Sequence, residues 1–242
     1  MAERKVVVYA GTSNVYPQMY TALKSLLINT PSIDQVYLLI EDDEFPYPLP
    51  KKVAAVNVSE QEYFPKDSPN YNMPWSYMAM MKCCLAHMFP NETVLNAKML
   101  WLDIDTIVDD DISDLFETDL NGYYYAGAME LAKSKDIFRY INVGVLLCNL
   151  PVLYQKEEEL MAYLNSYQMN WAEQNIINML CQGRMRIIES IYNSSNYTMP
   201  CFRPKIVHFA AIQNYKNEWL YQHYAKADMP GIDGGTDSEG SV

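Results

Sequence analysis

Strand-length apolar runs and helical repeats alternate along this chain, and that alternation restricts it to a layered α/β fold before any single residue is considered. Lys5–Ala10 (KVVVYA) reads as a buried strand. After it, Met19, Leu23, Leu26 and Leu27 share one helical face, with Pro17 tolerated in the first turn and Thr30-Pro31 ending the helix. Gln35–Ile40 (QVYLLI) and Val53–Val58 (VAAVNV) are the next strands, and proline-punctuated loops cover Pro46–Pro50 and Pro65–Pro74. Trp75–Met88 is predicted as a helix and Met99–Leu102 (MLWL) as a central strand. Further on, Tyr123–Met129, Gly144–Asn149 and Lys205–Phe209 read as strands. Pro151 opens a long helix with Leu153, Leu160, Met161 and Leu164 on one side, and a shorter helix spans Glu173–Cys181.

The 242 residues, half of them hydrophobic, suffice for one sizeable core. From Ala227 the sequence has few apolar side chains and many turn formers, so the expectation is a domain over 1–226 and a flexible tail over 227–242. No internal repeat is visible. Thirty acids against eighteen bases give a net charge of −12, and no Lys/Arg-rich stripe points to nucleic acid as a partner. Such acidity opposes an anionic substrate unless a cation bridges protein carboxylates to it. Met1–Lys5 is polar and the apolar run Val6–Ala10 is only strand-sized, so no secretory signal is read, and no run is long enough for a membrane span. Cys83, Cys84, Cys148, Cys181 and Cys201 show no C-x-x-C spacing and lie mostly in apolar stretches, as core residues of a reducing compartment do. The location expected is therefore cytoplasmic, and the sequons at Asn91, Asn193 and Asn196 are taken as chance.

The sharpest local feature is Asp103-Ile104-Asp105 at the end of the strand Met99–Leu102. Two carboxylates one residue apart project to the same side of an extended chain, at the strand end where open α/β sheets bind ligands. Hard oxygen donors so placed suit Mn²⁺ or Mg²⁺ with positions left open for phosphate. The plain alternative is an acidic turn, since Asp109, Asp110, Asp111 and Asp114 follow closely. An EF-hand is excluded, because Val108 stands where that loop requires glycine.

The stretch WLDIDTIVDDDISDLF resembles the core of glycosyltransferase family 8, which includes glycogenin and bacterial lipo-oligosaccharide galactosyltransferases. The likeness continues in order along most of the chain. VVYAGTSNVYPQMYTALKSLL is similar to the family's first strand, base-binding loop and first helix, and YINVGVLLCNL to its F-N-S-G-V segment. AEQNIINML is similar to its D-Q-x-x-x-N segment, SIYNSS to the Y-N-x-S-S of glycogenin, and KIVHF to the late strand whose histidine completes a metal site.

The resemblance implies a single GT-A-type α/β domain, a mixed sheet flanked by helices with a Rossmann-like nucleotide-binding half. It implies Asp103, Asp105 and His208 as metal ligands. Tyr9, Ala10, Thr12 and Tyr16 would form the base-binding strand end and loop, with Tyr16 stacking on uracil. Lys82 would contact the phosphate or sugar of the donor, and Ile104, Asn142 and Gly144 complete the donor site. Gln174 and its neighbour Glu173, an aspartate in the family, would act at the anomeric carbon. Two departures stand out. Val143 replaces the serine of N-S-G, and HFAAIQNYKNEW lacks the family's G-x-x-K-P-W, leaving Lys216 to serve as the diphosphate lysine after a two-residue insertion. Each of these residues also has an ordinary structural reading: Tyr16 as packing, Lys82 as a solvated helix face, Gln174 as helix surface, His208 as a core histidine.

What the resemblance implies in full is metal-dependent, configuration-retaining transfer of a hexose from a UDP-sugar to a saccharide or protein acceptor. A sugar-nucleotide hydrolase or nucleotidyltransferase and a non-catalytic binding module are the alternatives, and a homodimer is left open.

Overall fold

The computed structural model describes residues 4–73, 76–95, 98–131 and 139–232. Its middle layer is a seven-stranded sheet made of β1 (Lys5–Ala10), β2 (Gln35–Ile40), β3 (Val53–Asn57), β4 (Lys98–Leu102), β6 (Tyr125–Met129), β7 (Ile141–Asn149) and β8 (Met185–Ile188). These strands lie in the order β3-β2-β1-β4-β7-β6-β8. The first four run parallel, β7 lies antiparallel to both β4 and β6, and β8 returns parallel to β6. The central strands are continuous apolar runs because both their faces are covered. Val6, Val8, Met99 and Trp101 face one core, and Val7, Tyr9, Leu100 and Leu102 the other.

The first core is closed by α2 (Leu85–Met88), α4 (Leu150–Ser166), α5 (Ala172–Leu180) and a 3-10 segment over Tyr77–Cys83. The second is closed by α1 (Tyr16–Asn29) and the Ile112–Leu120 segment. A small second sheet pairs β5 (Thr106–Val108) with β9 (Ile206–His208), antiparallel, with Thr106 opposite His208. Over it lies α6 (Trp219–Lys226), where Tyr221 and Tyr224 pack with Ile107 and Phe209. The short helix α3 (Pro90–Val94) leads into β4.

The single helix expected over Trp75–Met88 is not formed. Trp75 lies outside the described residues, and the chain beyond it runs through the 3-10 segment, a break at Cys84 and then α2. The break has a cause on each side. Before it, Lys82 is turned inward to reach Asp103 in the sheet. After it, the buried Glu157 carboxylate accepts from the amides of Ala86 and His87 at 2.8 and 3.0 Å, capping a new helix start. Burial raises the Glu157 pKa against the lowering effect of those hydrogen bonds. The strands β5 and β8 and the helix α6 are too short for their periodicity to stand out in the sequence.

Residues 227–232, read from the sequence as the start of a flexible tail, have contacts with the body. Lys24 Nζ donates to the carbonyls of Ala225 and Ala227 at 2.7 and 2.8 Å, Met229 is buried in the second core, and Ile232 packs against it. Residues 233–242 lie outside the described residues. Deleting Asp228–Val242 is therefore expected to destabilise the protein by about 2 kcal/mol, the low end for loss of a buried methionine, lowering the melting temperature by about 4–8 °C. A thermal melt of the truncated chain checks this; an unchanged midpoint would show Met229 to be a passenger.

Candidate functional site

At the carboxyl ends of β1 and β4 the sheet opens into a cavity of ≈ 640 Å³. Ala10 and Gly11 line it at the end of β1, Asp103, Ile104 and Asp105 just past the end of β4, Asn142, Val143 and Gly144 from β7, Glu173 and Gln174 from α5, and His208 from β9. A second cleft of ≈ 520 Å³ adjoins it, sharing Met73, Trp171 and Glu173 as a common wall.

Asp103 is held on three sides. Its backbone N–H donates to Gly144 O at 2.7 Å, extending the β4–β7 ladder past the strand end. Its Oδ1 accepts from Trp101 Nε1 at 2.7 Å and from Lys82 Nζ at 3.1 Å. Trp101 stands two residues earlier on the same face of the strand, the geometry that period-two alternation gives. Lys82 is completely buried; it also donates to Val143 O at 3.3 Å, lies 3.9 Å from Glu173 Oε1, and sits 5.0 Å from the centroid of the Trp101 ring. Burial works against its charge, but the Asp103 and Glu173 carboxylates more than offset that, and its pKa lies above the usual lysine value. Glu173 is raised instead, because burial outweighs the pull of Lys82, whose ammonium is closer to Asp103. Glu173 Oε2 is buried with no hydrogen-bond partner.

Asp105 meets His208 through the small sheet: pairing of Thr106 with His208 sets the imidazole beside the second carboxylate, His208 Nε2 to Asp105 Oδ1 at 3.3 Å. For His208, burial lowers the pKa, but Asp105 offsets this and the net direction is upward; for Asp105, burial raises and His208 lowers, and the net direction is downward. His208 Nδ1 donates to Asn193 Oδ1 at 3.0 Å, which leaves Nε2 directed at the carboxylates. Ligand atoms of Asp103, Asp105 and His208 all lie within 4.8 Å of one another. Two carboxylates and an imidazole so gathered, with the far ring nitrogen already engaged, fit a divalent cation. No Lys or Arg lines the cavity among the described residues.

The far wall is built from amides. Gln174 Oε1 accepts from Val143 N at 3.2 Å, and its Nε2 donates to Glu130 Oε2 at 3.0 Å and to Tyr140 Oη at 3.3 Å. Asn142 Nδ2 donates to Glu130 Oε2 at 3.2 Å, while its Oδ1 accepts from Gly144 N at 3.1 Å and Asn193 Nδ2 at 3.0 Å. Three lining residues, Ser76, Trp171 and Ala211, have φ of 57°, 53° and 58°, the left-handed region that costs a side chain about 1–3 kcal/mol.

Ten residues named from the sequence thus come together: Ala10, Thr12, Asp103, Ile104, Asp105, Asn142, Gly144, Glu173, Gln174 and His208 all line the cavity. Four do not. Tyr9 points into the second core because it sits on the opposite face of β1 from Ala10. Tyr16 is buried there too, its ring 5.2 Å from Phe45 and its hydroxyl donating to Asp42 at 2.8 Å, so it does not line the cavity. Lys82 lies behind Asp103 rather than in the cavity, for it is consumed by its acid partners. Lys216 is exposed on a 3-10 turn, and its neighbour Tyr215 lines the cavity in its place. Sequence reasoning missed Trp101, Glu130 and Asn193. The alternation that selects Asp103 also selects Trp101; Glu130 carries no sequence signal beyond its position after β6; Asn193 was hidden inside a sequon, yet is fully buried.

The family model described as Glycosyl transferase family 8 matches residues 6–222. The chain belongs to that family. Its architecture is the GT-A type seen in structural neighbours. Glycosyltransferase GlyA of Streptococcus pneumoniae is 26% identical over 92% of this chain and 35% of its own length. GlyE of the same organism is 27% identical over 94% of this chain and 57% of its own, and its crystal structure superposes with a TM-score of 0.68. LgtC, a galactosyltransferase solved with donor and acceptor sugar analogues, superposes with a TM-score of 0.64 at 18% identity, covering 91% of this chain and 95% of that one. The chain therefore spans about a third of GlyA and just over half of GlyE.

In this family member the Cε1 edge of the imidazole is seated against a glycine. A Cβ added at Gly144 would fall 2.1 Å from His208 Cε1 and 2.8 Å from both ring nitrogens. Gly144→Ala must therefore drive His208 from Asp105 or spread β4 from β7. A destabilisation of about 1–3 kcal/mol is expected, a melting shift of about 3–10 °C by calorimetry. A wild-type midpoint would mean that the ring is not seated there.

Proposed function

We propose that this chain is a metal-dependent, configuration-retaining glycosyltransferase that moves a hexose from a UDP-sugar to an acceptor hydroxyl. The observation that carries the reading is the convergence of Asp103, Asp105 and His208 in a cavity that no cationic side chain lines among the described residues. A diphosphate there would face carboxylates with no lysine or arginine on the wall to meet it. Mn²⁺ or Mg²⁺ held by those three residues would supply the positive charge that the leaving diphosphate requires.

The chain's own groups take the remaining roles. Lys82 and Trp101 hold Asp103 Oδ1 from behind, so its other oxygen is directed at the ligand position. Ala10 and Thr12 at the end of β1 would border the nucleotide. Gln174, clamped at both ends of its amide, would face the anomeric carbon, with Glu173 beside it in the same wall. Across the shared wall, the cleft bearing Asn72, Gln168, Asn170 and the half-exposed Trp171 suits a saccharide acceptor, since amides bond hydroxyls and an aromatic face covers a sugar ring. A location in the cytoplasm remains part of this reading; among the described residues no helix is long and apolar enough to cross a membrane.

One observation favours a second reading, a donor-binding module without turnover: Lys216 is exposed away from the cavity wall. A panel of UDP- and GDP-hexoses with Mn²⁺, with and without saccharide acceptors, decides between them. Nucleotide release that rises with acceptor supports transfer, release without acceptor supports a hydrolase, and binding with no release supports the module.

Asp105→Asn is expected to abolish Mn²⁺-dependent UDP binding in titration calorimetry and to lower turnover about a hundredfold or more, with folding retained, and Asp103→Asn to do the same with a lower melting temperature, since Lys82 loses its nearest counter-charge. Unchanged affinity in both variants would remove the metal assignment.

The His208–Asp105 pair also sets a pH dependence. Asp105 raises the His208 pKa, so the ring keeps its proton to a higher pH than an ordinary histidine, and ligation requires Nε2 to lose it. Mn²⁺ affinity should therefore fall as the pH drops from about 8 to about 6, by at most about tenfold per unit for one displaced proton. Affinity that is flat over this range would exclude His208 as a ligand.

A further inference from the structure

Five side chains from five separate segments of the chain form one unbroken hydrogen-bonded chain across the cavity wall. It runs from His208 Nδ1 to Asn193 Oδ1, from Asn193 Nδ2 to Asn142 Oδ1, and from Asn142 Nδ2 to Glu130 Oε2, where Gln174 Nε2 arrives from the other side. The links are 3.0, 3.0, 3.2 and 3.0 Å, and all five residues are buried. Asparagine and glutamine amides can be turned end for end at little steric cost, so packing alone does not choose their direction. A carboxylate has no proton to give and can only accept. It therefore ends both arms of the chain and sets their polarity.

We propose that Glu130 is a positioning residue that dictates, through Asn142 and Asn193, which nitrogen of His208 carries the proton, and at the same time fixes the amide of Gln174. This inference rests on the reading of Asp103, Asp105 and His208 as metal ligands. With Oε2 of Glu130 as acceptor, Asn142 must direct Nδ2 to it and turn Oδ1 outward, where it also accepts from Gly144 N at 3.1 Å. Asn193 must then give its Nδ2 to Asn142 and its oxygen to the ring. His208 Nδ1 is thereby the protonated nitrogen of the neutral ring, and Nε2, 3.3 Å from Asp105 Oδ1, is the one with a lone pair for a cation. If the chain ran the other way, Nε2 would bear the proton and the third ligand would be lost. On the far arm, the same oxygen holds Gln174 Nε2, which turns Gln174 Oε1 to Val143 N at 3.2 Å. One carboxylate thus organises the metal end and the sugar end of the cavity together. Its second oxygen, Oε1, has no hydrogen-bond partner among the described residues, so a direct contact with substrate is the competing role.

Glu130→Ala and Glu130→Gln separate the two. Glutamine keeps the size of the side chain and an oxygen that can accept, but its amide can also donate and so no longer dictates a direction; alanine loses the acceptor altogether. Mn²⁺ affinity in the presence of UDP is measured by calorimetry. The tautomer of His208 is read at alkaline pH by ¹H–¹⁵N correlation of the imidazoles, tractable because the chain has only three histidines. Glu130→Ala should weaken Mn²⁺ binding about 10–100-fold and mix the tautomers, and Glu130→Gln, whose amide can donate as well as accept, should mix the tautomers too. Should Glu130→Ala fail to fold, Asn142→Ala breaks the same chain one link on and should mix the tautomers likewise. A wild-type tautomer and unchanged affinity in Glu130→Ala would overturn the proposal, as would a Glu130→Gln variant that keeps the wild-type tautomer. If the wild type itself binds no Mn²⁺, the transferase reading falls, and the tautomer comparison still decides this one.

Discussion

The site depends on a buried ammonium. Lys82 has no exposed surface, and a lone cation so placed would cost several kcal/mol unless an anion met it. Asp103 meets it, and in doing so is drawn to the end of β4 and locked by Trp101 Nε1 and by the ladder bond to Gly144. The pairing bends the chain before it as well, since turning Lys82 inward is one reason the segment over Tyr77–Cys83 coils tightly rather than joining α2. Removing Lys82 would leave an uncompensated carboxylate beside Glu173, which already lacks a partner for one oxygen.

The fold was legible in the sequence where elements are long and bounded by clear punctuation. Lys5–Ala10 and Gln35–Ile40 are found as read, because apolar strands flanked on both sides by polar turns leave little choice of register. The helix expected over Trp75–Met88 failed because its periodicity is apolar nearly all round and cannot specify a face; the inward lysine and the distant Glu157 cap decide its shape. Short strands such as Thr106–Val108 draw their stability from a partner some hundred residues away, which no local pattern encodes.

The site divides in the same way. Asp103 and Asp105 are visible as neighbours in sequence, and His208 joins them only through the pairing of β5 with β9. Tyr16 and Lys82 were expected at the donor from the resemblance, yet Asp42 and Asp103 occupy their polar atoms. The amide network around Glu130 was illegible because hydrogen-bond direction belongs to the assembled wall and to no segment of it.

Ser76, Trp171 and Ala211 each border the cavity in a backbone conformation that glycine adopts more readily. A glycine at any of the three would relax the main chain, but in the unfolded chain it would also have more freedom to lose. At Trp171 it would further remove the aromatic face shared by the two clefts. The cavity rim therefore holds conformational energy that the two large cores must outweigh. Selection for heat resistance alone would tend to relax that rim, at the expense of the preorganised shape that ligand recognition needs.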